Sequence, residues 1–512
     1  MVKTVSPDAQ KIIQKQEVLL KDQAVKIITL EQQLDWLKRQ VFGAKSERFI
    51  DATSEHPLLP GMEQEVPAPE PEKQSVEYER RAHRNQTGWQ DFPEDLPREE
   101  IIIELPEDKR FSKDGKALEL IGYDVFERLA QRNGYFIKVY KRAKYAVKGD
   151  PLSGVVIAPH PGDVFDSKSG KSKFDVSFIA NTVVSKCIDY MPLYRQAEKH
   201  KRNGIHINRS TLLSQFSGAA NTLILLYERL VKVILLCEII HADESSMKMM
   251  APGHGKCKTA WLWCRMTGIG PPLTAFAFDT SRNSAAAEKY LGNYSGTVIY
   301  DQYSVYGKLE KAENSTLETA GCWAHARRYV EKALDEDPDV AGGILKRIRQ
   351  LYTAERQAKK NSEAQSTEKA LFRERQKLRT KVSRHTVKEI FKKCEDLKFE
   401  HVPSSLMYKA ANYILNARVS LSRFIDNPKI NIDNNPAENA IRPIALGRKN
   451  YLFAGSEAGG QNLAILLSLV VSCKQNNINP QAYLEDVLTR IHTTPAKSID
   501  TLLPHLWEPE EK

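Results

Sequence analysis

The chain has 512 residues, 75 Lys+Arg against 65 Asp+Glu, a net charge of +10 and a pI of about 9.0. That length gives several domains with ample core, and the basic excess favours a polyanionic partner without naming one. The longest uncharged apolar run, Leu463 to Cys473, falls well short of the roughly 20 residues that cross a bilayer, Met1 to Pro7 hold no apolar signal core, and seven scattered cysteines fit reduced thiols, so a cytoplasmic protein is expected, neither exported nor membrane-spanning.

Residues 1–50 predict a coiled coil. Ile13, Leu20, Ile27, Leu34 and Val41 recur at sevens, and Leu30 and Leu37 add a second stripe. Self-association is the favoured reading, ahead of one amphipathic helix packed on its own domain. Residues 51–98, centred on Pro67-Ala68-Pro69-Glu70-Pro71, predict a disordered or extended linker. A small α+β domain is expected over 99–165, with strands at Glu100–Leu105 and Tyr135–Val147 and a helix or turn between them. Lys138, Lys141, Arg142, Lys144 and Lys148 crowd its second strand and suit either phosphates or a charged solvent face. Helices at 174–187, 192–202 and 210–216 make residues 170–225 a helix-turn-helix-like region, with Arg209 at the start of its last helix. Such a unit serves DNA binding or plain helical packing.

From residue 226 the pattern is α/β. After a helix at 223–236, strand-like runs at 239–247, 259–266 and 273–278 precede a helix at 284–291 and strands at 297–300 and 317–322, then a helix at 324–334. Three strands, a helix, a strand, a connection, a strand and helices is the element order of a ribonuclease H-like core (226–334), with an antiparallel meander followed by crossover units. Residues 335–430 predict an all-α insertion, with long basic helices at 347–375 and 378–399. Residues 431–460 carry a further core helix, opened by Asn434 as cap and Pro436, and 461–512 a C-terminal helical region.

Three acids stand out. Asp243 ends the run Ile239-Ile240-His241-Ala242, Asp301 ends Thr297-Val298-Ile299-Tyr300, and Glu438 opens the later helix. In that fold the first and fourth strands are neighbours, so Asp243 and Asp301 are expected to meet. Carboxylates so gathered suit two Mg²⁺ ions, with Asp243 bridging both and Asp301 and Glu438 each holding one. A lone acid would read as a surface charge or a cap. Arg442 lies one helical turn after Glu438, free for a phosphate or for an ion pair with Glu438. Arg448 and Lys449 fall in a Gly-flanked turn suited to gripping phosphate. Cys322 and His325, three apart at a helix start, are half of a zinc pattern without a second pair. His325 is read as near the scissile phosphate with Arg327 and Arg328 toward the backbone, or as a hydrogen-bonded histidine beside buried Cys322 and Trp323.

At these residues the chain resembles the transposases of the insertion sequence 66 family, bacterial DDE transposases. The matching segments are His241–Ser245, Asp301–Tyr303, Cys322–Arg328, Asn434–Pro443, Gly447–Ser456, Asp189–Gln196 and Phe42–Arg48. The resemblance implies that Asp243, Asp301 and Glu438 are a catalytic, metal-holding triad. It implies cleavage at the ends of an insertion element and strand transfer into target DNA, with Mg²⁺, or Mn²⁺ in its place. It also implies nucleoid-associated work and small accessory proteins as partners, beside the homo-oligomer expected from the coiled coil. Two departures stand out. Such proteins carry two CxxC pairs in the small domain, but 107–115 and 144–154 contain no cysteine, so no structural zinc is expected. Ser245 stands where Thr is common. Competing readings are a non-catalytic DNA-binding regulator or relic of the same descent, and a metal-dependent nuclease of repair or defence.

Overall fold

The computed structural model describes residues 92–510, apart from 112–115, 132–133, 149–153, 161–164, 166–172, 254 and 366. The coiled-coil expectation and nearly all of the linker lie outside these residues. Strands β1 (Arg98–Ile103), β2 (Leu118–Gln131), β3 (Tyr135–Val147) and β4 (Val156–Ile157) form a four-stranded sheet. In it β3 pairs with β1 in parallel and with β2 and β4 antiparallel. Where a helix or turn was expected, β2 runs for 14 residues along nearly all of β3. Its Gly, Asp and Glu weaken the strand signal, and the long ladder overrides them. The four basic residues of β3, and Lys148 just after it, are answered by carboxylates within the sheet and beside it. Lys138 meets Asp175 at 3.0 Å, Lys141 meets Glu100 at 2.6 Å and Lys148 meets Glu119 at 3.0 Å, while Arg142 and Lys144 share Asp124 at 3.1 and 3.9 Å. The charged-face reading therefore accounts for all five.

Helices α1 (Val176–Cys187), α2 (Leu193–Arg202), α3 (Arg209–Thr222) and α4 (Ile224–Leu235) come next along the chain. Asp175 caps α1 by accepting from the Ser177 amide. Gly204, in the left-handed region at φ 75°, turns the chain after α2.

A six-stranded sheet then forms from β5 (Ile239–Met249), β6 (Lys258–Thr267), β7 (Thr274–Asp279), β8 (Gly296–Tyr300), β9 (Leu317–Gly321) and the short β10 (Phe453–Ala454). The order is β7-β6-β5-β8-β9, with β6 antiparallel to both neighbours, β8 parallel to β5 and β9, and β10 beside the end of β5. Helix α5 (Ser284–Leu291) leads into β8, α6 (Ser304–Glu310) joins β8 to β9, and α7 (Trp323–Lys332) succeeds β9.

Side chains of successive strand residues point to opposite faces, and the two faces of this sheet feed two cores. Ile240, Ala242 and Val298 pack with Phe276, Leu466 and Val470, whereas Ile239 and Ile299 pack with Trp323, Ile390 and Leu421. The second core is roofed by α8 (Pro338–Ser362), α9 (Glu368–Leu378), α10 (Arg384–Glu400), α11 (Leu406–Asn416) and α12 (Arg418–Asp426). The helix expected over 347–375 is two helices, because Thr367 accepts from the Ala370 amide and starts α9 afresh. Likewise α10 begins only at Arg384, after a π-helical turn at 379–383. In that turn fully buried Arg379 pairs with Glu355 at 2.6 and 2.8 Å and donates to the carbonyls of Phe424, Asn427 and Ile430.

The chain then enters α13 (Asn435–Tyr451), β10, α14 (Glu457–Gln475) and α15 (Pro480–Arg490). Arg448 and Lys449 thus stand in the last turn of α13 and not in a turn of the chain. Gly447 continues the helix, leaving the room that the Tyr451 ring fills across it; a Cβ there would lie 2.2 Å from the Tyr451 hydroxyl. Among the described residues, no helix is long and apolar enough to cross a membrane.

Candidate active site

The ladder between β5 and β8 ends at His241 opposite Ile299. Two residues further along each strand stand Asp243 and Asp301, so both carboxylates leave the sheet on one side of one edge, the side of Ile239 and Ile299. Gln302, in the left-handed region at φ 70°, turns the chain sharply after Asp301, and the Tyr303 amide donates to Asp301 Oδ1 at 3.0 Å. Asp243 feels this crowding. Burial first, then the negative charge of Asp301, with smaller contributions from Glu244 and Glu438, push its carboxyl up to about 7. A group so placed is short of positive charge.

Glu438 arrives from the first turn of α13, and a polar clamp sets where that helix begins. The Trp323 amide donates to Ile432 O at 3.1 Å, and the Asn434 amide donates to Cys322 Sγ at 3.2 Å. Asn434 was expected as a helix cap. It holds the cap position, but its fully buried side chain reaches the sheet instead. Its Nδ2 donates to Ala242 O at 2.9 Å, and its Oδ1 lies 2.9 Å from His241 Nδ1. Asn431 Nδ2 lies 3.0 Å from His241 Nε2. The amide donates and Nε2 accepts, so His241 carries its proton on Nδ1 and gives it to Asn434. Burial holds this imidazole down at about 4, hence neutral. His241 and Asn434 tie β5 to α13 one step from Asp243.

The other expected site residues divide. Arg328 Nη2 grips both oxygens of Glu438 at 2.7 and 2.6 Å. His325 Nδ1 stands 3.6 Å from Glu438 Oε1, while its Nε2 lies 3.1 Å from Arg328 Nη1. Arg327 turns aside to Glu331 at 2.7 Å. Glu438 is thus paired with Arg328 and not with Arg442, which stays exposed. Arg448 is anchored on β5, donating to Ser246 O at 2.8 Å and lying 3.3 Å from the Ser245 hydroxyl. Lys449 and Arg209 are exposed, the first at the far end of α13 from Glu438 and the second at the start of α3.

Sequence reasoning missed Glu244. Its side chain is fully buried on the opposite face from Asp243, held by Arg282 Nε and Nη2 at 2.9 and 2.6 Å. Burial outweighs that cation and pushes the carboxyl up to about 7. Strand alternation beside an acid gave no sign of this, because Arg282 comes from the loop after β7. His241 and Asn434 lie within the segments that carry the resemblance, but nothing in their spacing foretold that they meet.

Asp243 and Asp301 stand just past the ladder that pairs β5 with β8, and Glu438 at a helix start is close enough to raise the Asp243 carboxyl; an all-oxygen donor set is what hard divalent cations of the Mg²⁺ type take. A mixed sheet with helices on both faces defines an α/β protein. Comparison with known proteins then fixes the lineage. Residues 171–462 match the family described as Transposase IS66 family, residues 468–505 the IS66 C-terminal element, and residues 29–101 the Transposase C of IS166 homeodomain. The chain belongs to the IS66 transposase family. It is 32% identical to the uncharacterized protein y4qI of Sinorhizobium fredii, over 95% of this chain and 90% of that protein. It is 31% identical to y4jD of the same organism, over 95% and 96%.

Proposed function

We propose that this protein is an active DDE transposase that cuts DNA at the ends of its element and joins the freed 3′ end to target DNA, with Asp243, Asp301 and Glu438 as the metal-holding triad. What supports the reading is that Asp243 and Asp301 stand just past the ladder that pairs neighbouring strands β5 and β8, and that the charges of Asp301 and Glu438 both raise the Asp243 carboxyl. The strand order β7-β6-β5-β8-β9, with β6 alone reversed among its neighbours, supports a ribonuclease H-like core. Two Mg²⁺ ions, or Mn²⁺, would activate the attacking water and neutralise the leaving oxygen.

This chain's own residues do the rest. Asp243, whose carboxyl burial and Asp301 push up, gains from a cation. Arg328 is the counter-charge of Glu438 until the acid is needed elsewhere, and is then free for a phosphate oxygen. His325 sits between them. Arg442 and Lys449 on the exposed side of α13 are cations for the DNA backbone. Exposed Arg209, Ser210, Leu213 and Ser214 on α3, the second helix of the helix-turn-helix-like pair, form a surface for sequence reading in a groove. Self-association through residues 1–50, small accessory proteins and cytoplasmic, nucleoid-associated action complete the reading.

The test is strand cleavage and joining on labelled DNA bearing the element's ends, with Mg²⁺ and an EDTA control. Metal-dependent nicking with joined product is expected, and Asp301→Asn should abolish it while end binding survives. Unchanged cleavage in Asp301→Asn would sink the proposed site; binding without cleavage in the wild type would make the chain a regulator or relic.

A further inference from the structure

Cys322 and His325 look like half of a metal site in the sequence, and the fold supplies a third donor from more than a hundred residues away. Cys322 Sγ, a ring nitrogen of His325 and a carboxylate oxygen of Glu438 all lie within 4.8 Å of one another. His325 Nδ1 is buried and has no hydrogen-bond partner, although it stands 3.6 Å from Glu438 Oε1. A buried ring nitrogen left unpaired beside a carboxylate needs an explanation. Cys322 holds the position before α7, buried, with the Asn434 amide donating to its Sγ at 3.2 Å. An N–H donor aimed at a sulfur suits a metal-bound thiolate.

We propose that Cys322, His325 and Glu438 bind one thiophilic divalent cation, Zn²⁺ by the chemistry of the donors, at a site separate from the all-oxygen centre but sharing Glu438 with it. One thiolate, one imidazole and one carboxylate make a three-ligand set with a position left for water, which suits tetrahedral Zn²⁺ and not Mg²⁺. Slight rotamer changes bring the three atoms from their present spacing onto one ion.

Arg328 holds the place of that cation. Its Nη1 donates to His325 Nε2, which puts the imidazole proton on Nδ1, and its Nη2 grips Glu438. An ion on Nδ1 moves that proton to Nε2, so Nε2 no longer accepts from Arg328. The thiol proton leaves to solvent, and Glu438 exchanges guanidinium for metal. Occupation therefore withdraws Glu438 from the acid centre. That last consequence rests on the transposase reading, whereas the site itself rests on geometry alone.

The experiment is a Co²⁺ titration of the full chain without DNA or Mg²⁺. A thiolate-to-Co²⁺ band in the near ultraviolet and tetrahedral visible bands are expected, saturating at a single equivalent and vanishing when Zn²⁺ is added. Cys322→Ser should lose the near-ultraviolet band even though six other cysteines remain, and Glu438→Gln should weaken binding. Arg328→Ala, which removes the resident cation, should tighten it. Absence of the band, or its survival in Cys322→Ser, overturns the site. Should Cys322→Ser not fold, His325→Ala decides, since its side chain is partly exposed: an unaltered titration overturns the proposal and a weakened one upholds it. The readout involves no DNA, so its failure and a failure of the transposase reading are told apart.

Discussion

Replacing Asn434 by Ala is expected to damage both stability and cleavage, in amounts set by its surroundings. The side chain is fully buried and makes two hydrogen bonds, from Nδ2 to Ala242 O and from His241 Nδ1 to Oδ1, each 2.9 Å. Truncation removes both and leaves a carbonyl and an imidazole N–H unpaired in a dry place. Each orphaned group costs about 1–3 kcal/mol, so the total is about 2–6 kcal/mol, toward the low end where a water fills the gap. The loss is read from urea-unfolding midpoints of the full chain. A double-mutant cycle with His241→Ala should give a coupling of about 1–3 kcal/mol, as expected for residues sharing one network. Asn434 starts the helix that presents Glu438, so cleavage should fall while end binding stays. A destabilisation below about 0.5 kcal/mol, the range of an ordinary surface substitution, together with no coupling, would refute the clamp.

Three further outcomes are expected from the same packing. Arg379→Met should cost about 3–5 kcal/mol by leaving Glu355 buried with only Arg375, which stands 3.0 Å from it, and by freeing the loop that carries Asn431; a midpoint like the wild type's would show that this loop is held otherwise. Gly460→Ala should destabilise by about 1–3 kcal/mol in thermal melts, because the new Cβ would lie 2.6 Å from the buried Phe278 ring. His200 is buried against Tyr135 and Phe178, and burial first, then Lys199, lower it from 6.5 to about 4. Its folded form is neutral while the unfolded form takes up a proton below about 6.5, so its share of stability is whole above that pH and drains away down to about 4, by roughly 3 kcal/mol. Asp243 and Glu244 act in the opposite sense over the same window, so the comparison is wild type against His200→Gln: the variant should gain relative stability by about 1.4 kcal/mol per pH unit between these limits, and parallel curves would remove His200 from the account.

The acids were legible where a periodic pattern stops at a charged residue. Apolar runs that end at Asp243 and Asp301 mark two buried strands, and the element order predicts that those strands are neighbours. Boundaries within the helical insertion were not legible, because neither Gly nor Pro marks the break before α9. Its signal was Thr367, a cap with a hydroxyl for the Ala370 amide. The strand β2 was missed for the converse reason, since Gly122, Asp124 and Glu127 weaken the local pattern and only the ladder to β3 makes it a strand.

What no local pattern shows is polar complementarity across the fold. Glu244 looks like the solvent-facing neighbour of Asp243 until Arg282 arrives from the loop after β7, and Asn434 looks like a cap until His241 is found beneath it. Both cases have one physical origin. A buried polar group must be answered, and its partner is chosen by the packing of elements far apart in the chain. The surroundings of Glu438 obey the same rule. Arg328 answers its charge, His325 Nδ1 beside it goes unanswered, and Cys322 completes a donor set that sequence spacing had left as half a pattern. Burial near the third acid thus has an organisation of its own, in which a guanidinium holds the carboxylate while a thiol and an unanswered imidazole nitrogen stand beside it.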